Sequence, residues 1–225
     1  MPAILCFLYH AVMRVSLRLG ALLAIVFLTT FLSAQEASVG PGKPEHQAAA
    51  KAQLGTLDSS VYQNRFFGFR YKVAYGWVDR TDAMREASAD SRKSLLLLAI
   101  FERPPEATGE SVNSAVVITG ESRSVYPGLK TAAEYFGPLT EVTTGKGFQP
   151  LNAPYYFQIG TRRLVRGDFS KNTGKVTMYQ SSIAMLDKGY FVCFTFLGGS
   201  QEEVNGLIEG LSLTPGTMKG IPSRK

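Results

Sequence analysis

The sequence predicts a single exported α+β domain built on a mainly antiparallel β-sheet of about six or seven strands flanked by helices. Two observations indicate this class. Apolar and aromatic runs of strand length occur in two groups, and a segment with helical periodicity follows each group. Short turn sequences rich in Gly, Asn and Asp separate consecutive runs late in the chain, and such turns link neighbouring antiparallel strands.

The chain begins with the features of a cleavable export signal. Residues 1–34 contain no Asp or Glu, and their only Lys or Arg residues are Arg14 and Arg18. Residues 19–32 then form an uncharged run of 14 residues, shorter than the roughly 20 residues that span a bilayer and typical of a signal peptide. We therefore expect residues 1–34 to be a signal peptide that is cut near Ala34.

Two alternatives concern the same segment. Translation from Met13 instead of Met1 would place the charged residues directly before the apolar run, the usual order in a signal peptide. An uncleaved N-terminus would anchor the protein in the cytoplasmic membrane, but Arg14 and Arg18 would then lie near mid-bilayer at a cost of about 2.5–3.5 kcal/mol each. The predicted location is periplasmic or extracellular, with N-terminal anchoring as the alternative.

The first half of the domain is predicted to consist mainly of strands. Residues 35–60 are rich in Ala, Gly, Ser, Gln and Pro, which indicates a flexible linker with at most a short helix across 47–54. The domain is therefore expected to span residues 61–214. Strands are expected at 66–73, 95–101 and 112–121, and a short helix at 81–90.

The second half is predicted to contain two helices around three strands. The first helix has an apolar stripe at helical spacing, formed by Leu129, Ala132, Ala133, Phe136 and Leu139. The strands are expected at about 156–169, 175–186 and 189–198, with turns at 170–174 and 187–189.

The end of the domain carries clear markers. Residues 190–197 are apolar in both alternating sets, which predicts a strand covered on both faces. Ser200 and Glu203 form an S-x-x-E capping box that starts the closing helix. Residues 215–225 are expected to be a loose basic tail.

The opening of the domain resembles a known family. Its residues are Tyr62, Asn64, Phe67, Gly68, Phe69 and Tyr71, followed by Gly76-Trp77. This pattern is similar to the start of the PsbP-like superfamily, which includes PsbP and the exported DcrB-like and LpqN-like proteins, and the resemblance covers about residues 61–213. It implies an α/β/α sandwich. Ala74 stands where many relatives have Pro, and no residue matches a metal ligand, so the resemblance implies a fold and no activity.

Several chemistries lack their residues. His10 lies in the predicted signal and His46 in the linker, so the domain has no histidine for a Ser-His-Asp or Cys-His hydrolase or an HExxH zinc site. No GxxxxGK[ST] or GxGxxG sequence occurs. We predict no metal and no cofactor. A charge of +4 after loss of the signal also argues against a nucleic-acid partner.

Cys193 and the acidic residues after Trp77 have two interpretations each. Cys193 lies within an apolar strand and is expected to be a buried filler rather than a nucleophile. Asp79, Asp82 and Glu86 could provide the paired carboxylates of a glycosidase. We expect them instead to be acids at the start of a helix, where the helix dipole favours negative charge.

The tripeptide 166–168 (Arg-Gly-Asp) spells an adhesion motif. It falls in a predicted strand ahead of the turn at 170–174, and receptor binding would need an exposed loop tip. We expect this match to be coincidental.

One group of cations is a candidate partner-binding surface. Its residues are Arg162, Arg166, Lys171 and Lys175, with Arg163 predicted on the opposite face of the strand. A sheet edge protected by cations is the expected reading, and contact with an anionic surface is the alternative. Tyr62 and Trp77 could likewise form an aromatic binding shelf, although such residues are more typical of a core.

The sequence therefore indicates an exported, non-enzymatic accessory or binding protein of the cell envelope with an unknown ligand. Its partner would be an envelope protein or an anionic surface. The alternatives are a carboxylate-based hydrolase and a membrane-surface module that uses the basic 162–175 strand and hairpin. Membrane contact is expected only through that basic face or an uncleaved N-terminus.

Overall fold

The computed structural model describes residues 53–86, 94–107 and 109–214. Within these ranges, twelve strands form two antiparallel sheets with three α-helices packed on them, and the predicted α+β class is confirmed. The predicted signal peptide, the linker up to residue 52, most of the 47–54 helix, the end of the 81–90 helix and the tail lie outside the described residues. No helix among the described residues is long and apolar enough to cross a membrane.

The elements alternate along the chain as the sequence predicts, with additional short strands. In chain order they are β1 (Thr56–Asp58), β2 (Val61–Asn64), β3 (Phe69–Lys72), β4 (Val78–Asp79), α1 (Thr81–Glu86), β5 (Ser94–Phe101), β6 (Ala115–Ser122), α2 (Ala132–Thr144), β7 (Gln149–Pro150), β8 (Tyr155–Ile159), β9 (Arg162–Asn172), β10 (Thr177–Asp187), β11 (Tyr190–Gly198), α3 (Gln201–Glu209) and β12 (Leu211–Leu213). The prediction of six or seven strands is low because six strands have only two to four residues, too few to show an alternating pattern.

The twelve described strands are divided between a small sheet of four strands and a large sheet of eight. The small sheet has the order β1-β2-β3-β12, and the large sheet has the order β4-β5-β6-β11-β10-β9-β7, with β8 also paired to β9. β1 lies in the stretch predicted as linker and pairs with β2, so that Thr56 lies opposite Gln63.

The long hairpins of the large sheet follow the turn sequences. β10 and β11 pair along nine residues from Tyr179 to Asp187, and the connecting Lys188 and Gly189 both have positive φ, as a tight two-residue turn requires. β9 and β10 are joined by a turn that includes Gly174, whose φ is also positive. The predicted turns at 187–189 and 170–174 are thus confirmed within two or three residues.

The large sheet is covered on both faces. One face carries the largest apolar cluster, in which Phe194 and Phe196 of β11 pack against the small sheet and α3. The other face carries α2, whose Tyr135 and Phe136 pack on Cys193 and its neighbours. β11 is therefore buried on both sides, as predicted for residues 190–197.

Both predicted helix caps can be compared with the structure. Ser200 caps α3, because its side chain accepts a hydrogen bond of 3.0 Å from the Glu203 N–H. The predicted return hydrogen bond, from the Ser200 N–H to the Glu203 carboxylate, is replaced by others. The Glu203 carboxylate accepts hydrogen bonds from the Gly199 N–H and the Ser114 hydroxyl. The helix predicted from residue 129 begins at Ala132, because Thr131 and Glu134 form a reciprocal capping box there.

The glycine of the Arg-Gly-Asp tripeptide lies where α2 packs on β9. Gly167 is within the strand, and a Cβ atom added there would lie 2.7 Å from Cε1 of Phe136, a side chain that is 2 % exposed. The Phe136 ring therefore packs directly against the backbone of the strand, in the space that a side chain at position 167 would occupy. This contact gives the tripeptide a packing role.

We expect Gly167→Ala to lower the free energy of unfolding by about 1.5 kcal/mol, because the added methyl group overpacks this contact. Denaturant unfolding measures the change. Gly137→Ala is the matched control on α2, since a Cβ atom there meets nothing within 4 Å and alanine favours a helix. Equal stability of the Gly167 variant and the unmodified protein would contradict the contact.

Candidate functional site

A cleft between β1 and α1 has the size of a ligand site. Its volume is about 350 Å³, within the range of roughly 300–1,000 Å³ that small-molecule sites occupy. Leu97 and Leu98 of β5 lie at its base, and Leu54 and Leu57 form one wall. The start of α1 forms the opposite wall. The cleft therefore combines apolar surface with the polar residues of a helix start.

Residues of the family-like pattern hold the leucine wall in place. The buried Tyr62 hydroxyl donates a hydrogen bond to the Leu54 carbonyl, and Asn64 Nδ2 donates one of 2.8 Å to the Gln53 carbonyl. The Asn64 side chain also accepts a hydrogen bond of 2.9 Å from the Phe67 N–H, next to Gly68 in its positive-φ turn. The pattern thus fixes a turn and the segment that precedes β1.

Arg85 closes the cleft against the edge of the large sheet. Its guanidinium donates hydrogen bonds of 2.7 and 3.0 Å to the carbonyls of Leu96 and Leu97, and it pairs with Asp82 at 2.6 Å. The carbonyls belong to the outer edge of β5, which would otherwise present unsatisfied acceptors. Arg85 is thus fully engaged in the fold, and sequence reasoning did not identify it.

The acidic residues lie at the helix start, as expected. Asp79 Oδ1 accepts hydrogen bonds from the Thr81 N–H and hydroxyl, while its Oδ2 accepts none from the described residues. The Asp82 side chain is 87 % exposed, although it contacts Arg85. Both carboxylates line the cleft, and Glu86 does not. No group of three or more His, Cys, Asp or Glu among the described residues could hold a metal ion.

Most of the predicted cation group has partners within the domain. Arg162 contacts Asp187 at 3.5 Å, Arg166 contacts Asp168 at 2.8 Å, and Lys171 donates a hydrogen bond to the Lys146 carbonyl. Lys175 is exposed in the hairpin turn. Arg163 lies over the Tyr156 ring, 3.5 Å from its centroid. Three of the four predicted partner-binding cations are therefore engaged within the domain.

The aromatic and thiol candidates are parts of the core. Tyr62 is 2 % exposed and is among the residues that line the β1–α1 cleft, while the partly buried Trp77 packs against the same apolar cluster and does not line that cleft. Cys193 is fully buried, and burial raises the pKa of its thiol to about 12. A protonated, inaccessible thiol is the filler that the sequence predicts.

A second, smaller cleft is organised by Asp168. It has a volume of about 80 Å³, enough for two or three water molecules at about 30 Å³ each. Asp168 accepts hydrogen bonds from Arg166, Ser181 and Tyr155 at 2.7 to 2.9 Å, and the Asn152 amide lies 3.4 Å away. These donors satisfy both carboxylate oxygens. The cluster is built as a support for the β9–β10 hairpin.

A buried acid lies on the α2 face of the large sheet. Glu121 is 2 % exposed; its Oε2 accepts a hydrogen bond from the Tyr126 hydroxyl, and its Oε1 has no partner among the described residues. Burial raises the pKa of this carboxyl above its usual value, and hydrogen bonds from Tyr126 and Tyr135 only partly oppose that effect. The sequence analysis predicts no role for Glu121, because this residue is the last of the strand expected at 112–121.

Comparison with known proteins gives likenesses of fold. No family model and no curated protein matches the chain. Solved structures that match include cyanobacterial PsbP from Synechocystis sp. PCC 6803, at 11 % identity and a TM-score of 0.45 over 71 % of this chain and 96 % of that one. LpqN of Mycobacterium tuberculosis, described as involved in cell envelope biogenesis, matches at 13 % identity and 0.36 over 65 % and 83 %.

A third match is a protein of unknown function from Pseudomonas aeruginosa, at 14 % identity and a TM-score of 0.33 over 45 % of this chain and 68 % of that one.

Proposed function

We propose that the protein is an exported, non-enzymatic binding module whose β1–α1 cleft takes an apolar chain with a positively charged end. The observation that carries the proposal is that leucine side chains and the carboxylates of Asp79 and Asp82 line the same cleft. Burial of the apolar chain would supply most of the affinity, at about 25 cal/mol per Å². The carboxylates would select the charge of the end.

The local charge balance supports a cationic ligand. Asp82 and Arg85 form an ion pair, and Arg85 donates two further hydrogen bonds to the β5 carbonyls of Leu96 and Leu97. Asp79 keeps one carboxylate oxygen without a partner among the described residues. The cleft is left with a net negative charge, which attracts a cation and repels an anion.

Two arrangements argue against the alternatives. A glycosidase holds two carboxyl groups on either side of its substrate, whereas Asp79 and Asp82 lie together at the start of α1. A membrane-surface module would need free cations, and Arg162 and Arg166 are already paired with carboxylates. Export rests on the composition of residues 1–34.

Two amphiphiles that share one apolar chain test the proposal. Decyltrimethylammonium and decyl sulfate, both below their micelle concentrations, are titrated against the purified protein while the methyl resonances of Leu54, Leu57 and Leu97 are followed by NMR. We expect the cation to bind about tenfold more tightly than the anion. The combined change Asp79→Asn and Asp82→Asn should remove this preference, because asparagine retains the hydrogen-bond acceptor at the helix start.

A matched pair of leucines separates the cleft from general surface binding. Leu57 is 38 % exposed in the cleft wall and Leu151 is 43 % exposed elsewhere. Leu57→Asp should abolish the shifts, and Leu151→Asp should leave them unchanged. Equal affinity for both amphiphiles would contradict the charge selection. Hydrolysis of any ester or glycoside that Asp79→Asn abolishes would favour the enzyme alternative.

A further inference from the structure

Among the described residues, the strand β8 forms a free edge of the large sheet. It pairs with β9 on one side only, with Ile159 opposite Arg162 across the two-residue turn 160–161. In a hairpin with a two-residue turn, the residues that flank the turn exchange hydrogen bonds, and such pairs alternate along the ladder. Tyr156 and Gln158 therefore direct their N–H and C=O groups outward. No other described residue hydrogen-bonds to these groups.

The strand β8 itself carries few of the features that usually protect edges, although β12 of the small sheet comes close to it. Its sequence, Tyr-Tyr-Phe-Gln-Ile, contains no charge, proline or glycine, and Tyr156 is 60 % exposed. Natural sheets protect such edges with lysine, proline, a bulge or a covering element. The opposite edge of the same sheet is protected, because Arg85 binds the β5 carbonyls. An arginine side chain thus binds main-chain carbonyls at the β5 edge, whereas no side chain of the described residues does so at β8.

The outward groups of β8 are complementary to those of a second β8. When two copies are related by a two-fold axis at Phe157, Tyr156 lies opposite Gln158 of the partner subunit. Each of these two pairs would exchange two hydrogen bonds, so the joint would contain four. The central Phe157 would lie opposite its own copy as the intervening non-hydrogen-bonded pair. A symmetric interface of this kind closes after two subunits.

Two cations contact the side chains of β8. The Arg163 guanidinium lies over the Tyr156 ring, 3.5 Å from its centroid, and the Arg166 guanidinium lies 5.2 Å from the centroid of the Phe157 ring. Arg166 is paired with Asp168, and β8 itself carries no charged residue. The strand therefore adds no charge of its own to the joint.

We propose that β8 is a dimerisation edge, at which a second copy of this chain adds its β8 and makes the two large sheets continuous. The binding cleft lies beside the opposite edge, at β5, and stays open in the dimer. The surface therefore adds an assembly function to the binding function.

Sedimentation of the purified protein over a micromolar concentration series tests the proposal, and the average mass is expected to rise towards that of a dimer. Gln158→Pro removes the outward N–H, and Gln158→Lys places a charge on the edge. Both also remove the hydrogen bond of 2.9 Å that the Gln158 amide donates to the Gly160 carbonyl in the turn. Each should weaken dimerisation by about tenfold or more while circular dichroism shows that the domain stays folded. Gln149→Lys on the neighbouring strand β7 is the matched control and should dimerise normally.

A charge swap tests the register. Tyr156→Glu combined with Gln158→Lys places opposite charges across the two-fold axis and should dimerise more tightly than either single variant. A monomer at all concentrations would overturn the proposal, as would a dimer that Gln158→Pro and Gln158→Lys leave intact. Dimerisation only after removal of residues 215–225 would assign the edge to the chain's own tail and also overturn it.

Discussion

Replacement of Asp168 by alanine is expected to lower the free energy of unfolding by about 3 kcal/mol, because it leaves a largely buried guanidinium without its carboxylate. The Arg166 and Asp168 side chains are 12 % and 15 % exposed and lie 2.8 Å apart. Ser181 and Tyr155 donate hydrogen bonds to the same carboxylate and would also lose their acceptor. The loss would fall on the β9–β10 hairpin, which has no disulfide to support it.

Denaturant unfolding at pH 7 measures this loss, and a double-mutant cycle of Arg166→Met and Asp168→Leu separates its parts. The joint variant removes both charges, so it should be less destabilising than Asp168→Leu alone. Asp82→Ala is the control, because its carboxylate also contacts an arginine but is 87 % exposed; we expect a change below about 1 kcal/mol. A loss of that same size at Asp168 would show that the buried pair is dispensable.

The Asp168 carboxylate also makes the stability of the folded protein depend on pH in the acid range. Burial alone would raise the pKa of Asp168, but hydrogen bonds from Ser181 and Arg166 and the charge of Arg166 outweigh it and hold the pKa below its usual value. A lowered pKa stabilises the folded state above the unfolded pKa of about 3.9, and this contribution disappears as the pH falls through the folded pKa. Asp168→Asn should therefore flatten the loss of stability in acid.

Much of the fold could be predicted because its determinants are local. The hairpins β9–β10 and β10–β11 follow from turn sequences with glycine at positive φ. The start of α3 follows from Ser200 as the N-cap. The start of α2 was placed three residues early, although Thr131 and Glu134 carry a capping box that the apolar stripe from Leu129 concealed.

The cleft could be predicted only in part, because its walls depend on contacts between distant segments. Asp79 and Asp82 were candidates from their position before a helix. The Leu54 wall was not, because it lies in a stretch with linker composition and is held by Tyr62 and Asn64 through main-chain carbonyls. No periodic pattern in the sequence reports such hydrogen bonds. Arg85 was missed for the same reason, since its partners are carbonyl groups of β5.

The acid on the α2 face carries the opposite pH dependence. Glu121 interacts with Tyr126, with Tyr135 of α2 and with Cys193 of β11, and Ser94 of β5 lies opposite it in register. No Lys or Arg among the described residues pairs with it. Oε1 of Glu121 and Oγ of Ser94 are both buried without a partner. A carboxylate here would be desolvated without a compensating cation, so the protonated form is favoured.

We expect Glu121→Gln to raise the free energy of unfolding at pH 7 by about 2 kcal/mol and to change little below pH ~4. A raised pKa favours folding below the unfolded pKa of about 4.3, and this advantage is lost as the pH rises through the folded pKa. Glutamine is neutral at both pH values, and its amide group faces Ser94. The substitution should therefore remove the loss of stability that occurs as the pH rises from acid to neutral.

Denaturant unfolding at closely spaced pH values between 3 and 8 tests this prediction, and Glu209→Gln, a change at an exposed residue of α3, is the control. The unmodified protein and the control should lose stability together as the pH rises past the Glu121 titration, while Glu121→Gln does not. Parallel curves for all three proteins would show that Glu121 is ionised without cost in the folded state. Because the Asp168 contribution grows with pH while the Glu121 contribution falls, the two variants should displace the stability maximum in opposite directions: Asp168→Asn towards acid and Glu121→Gln towards neutral pH.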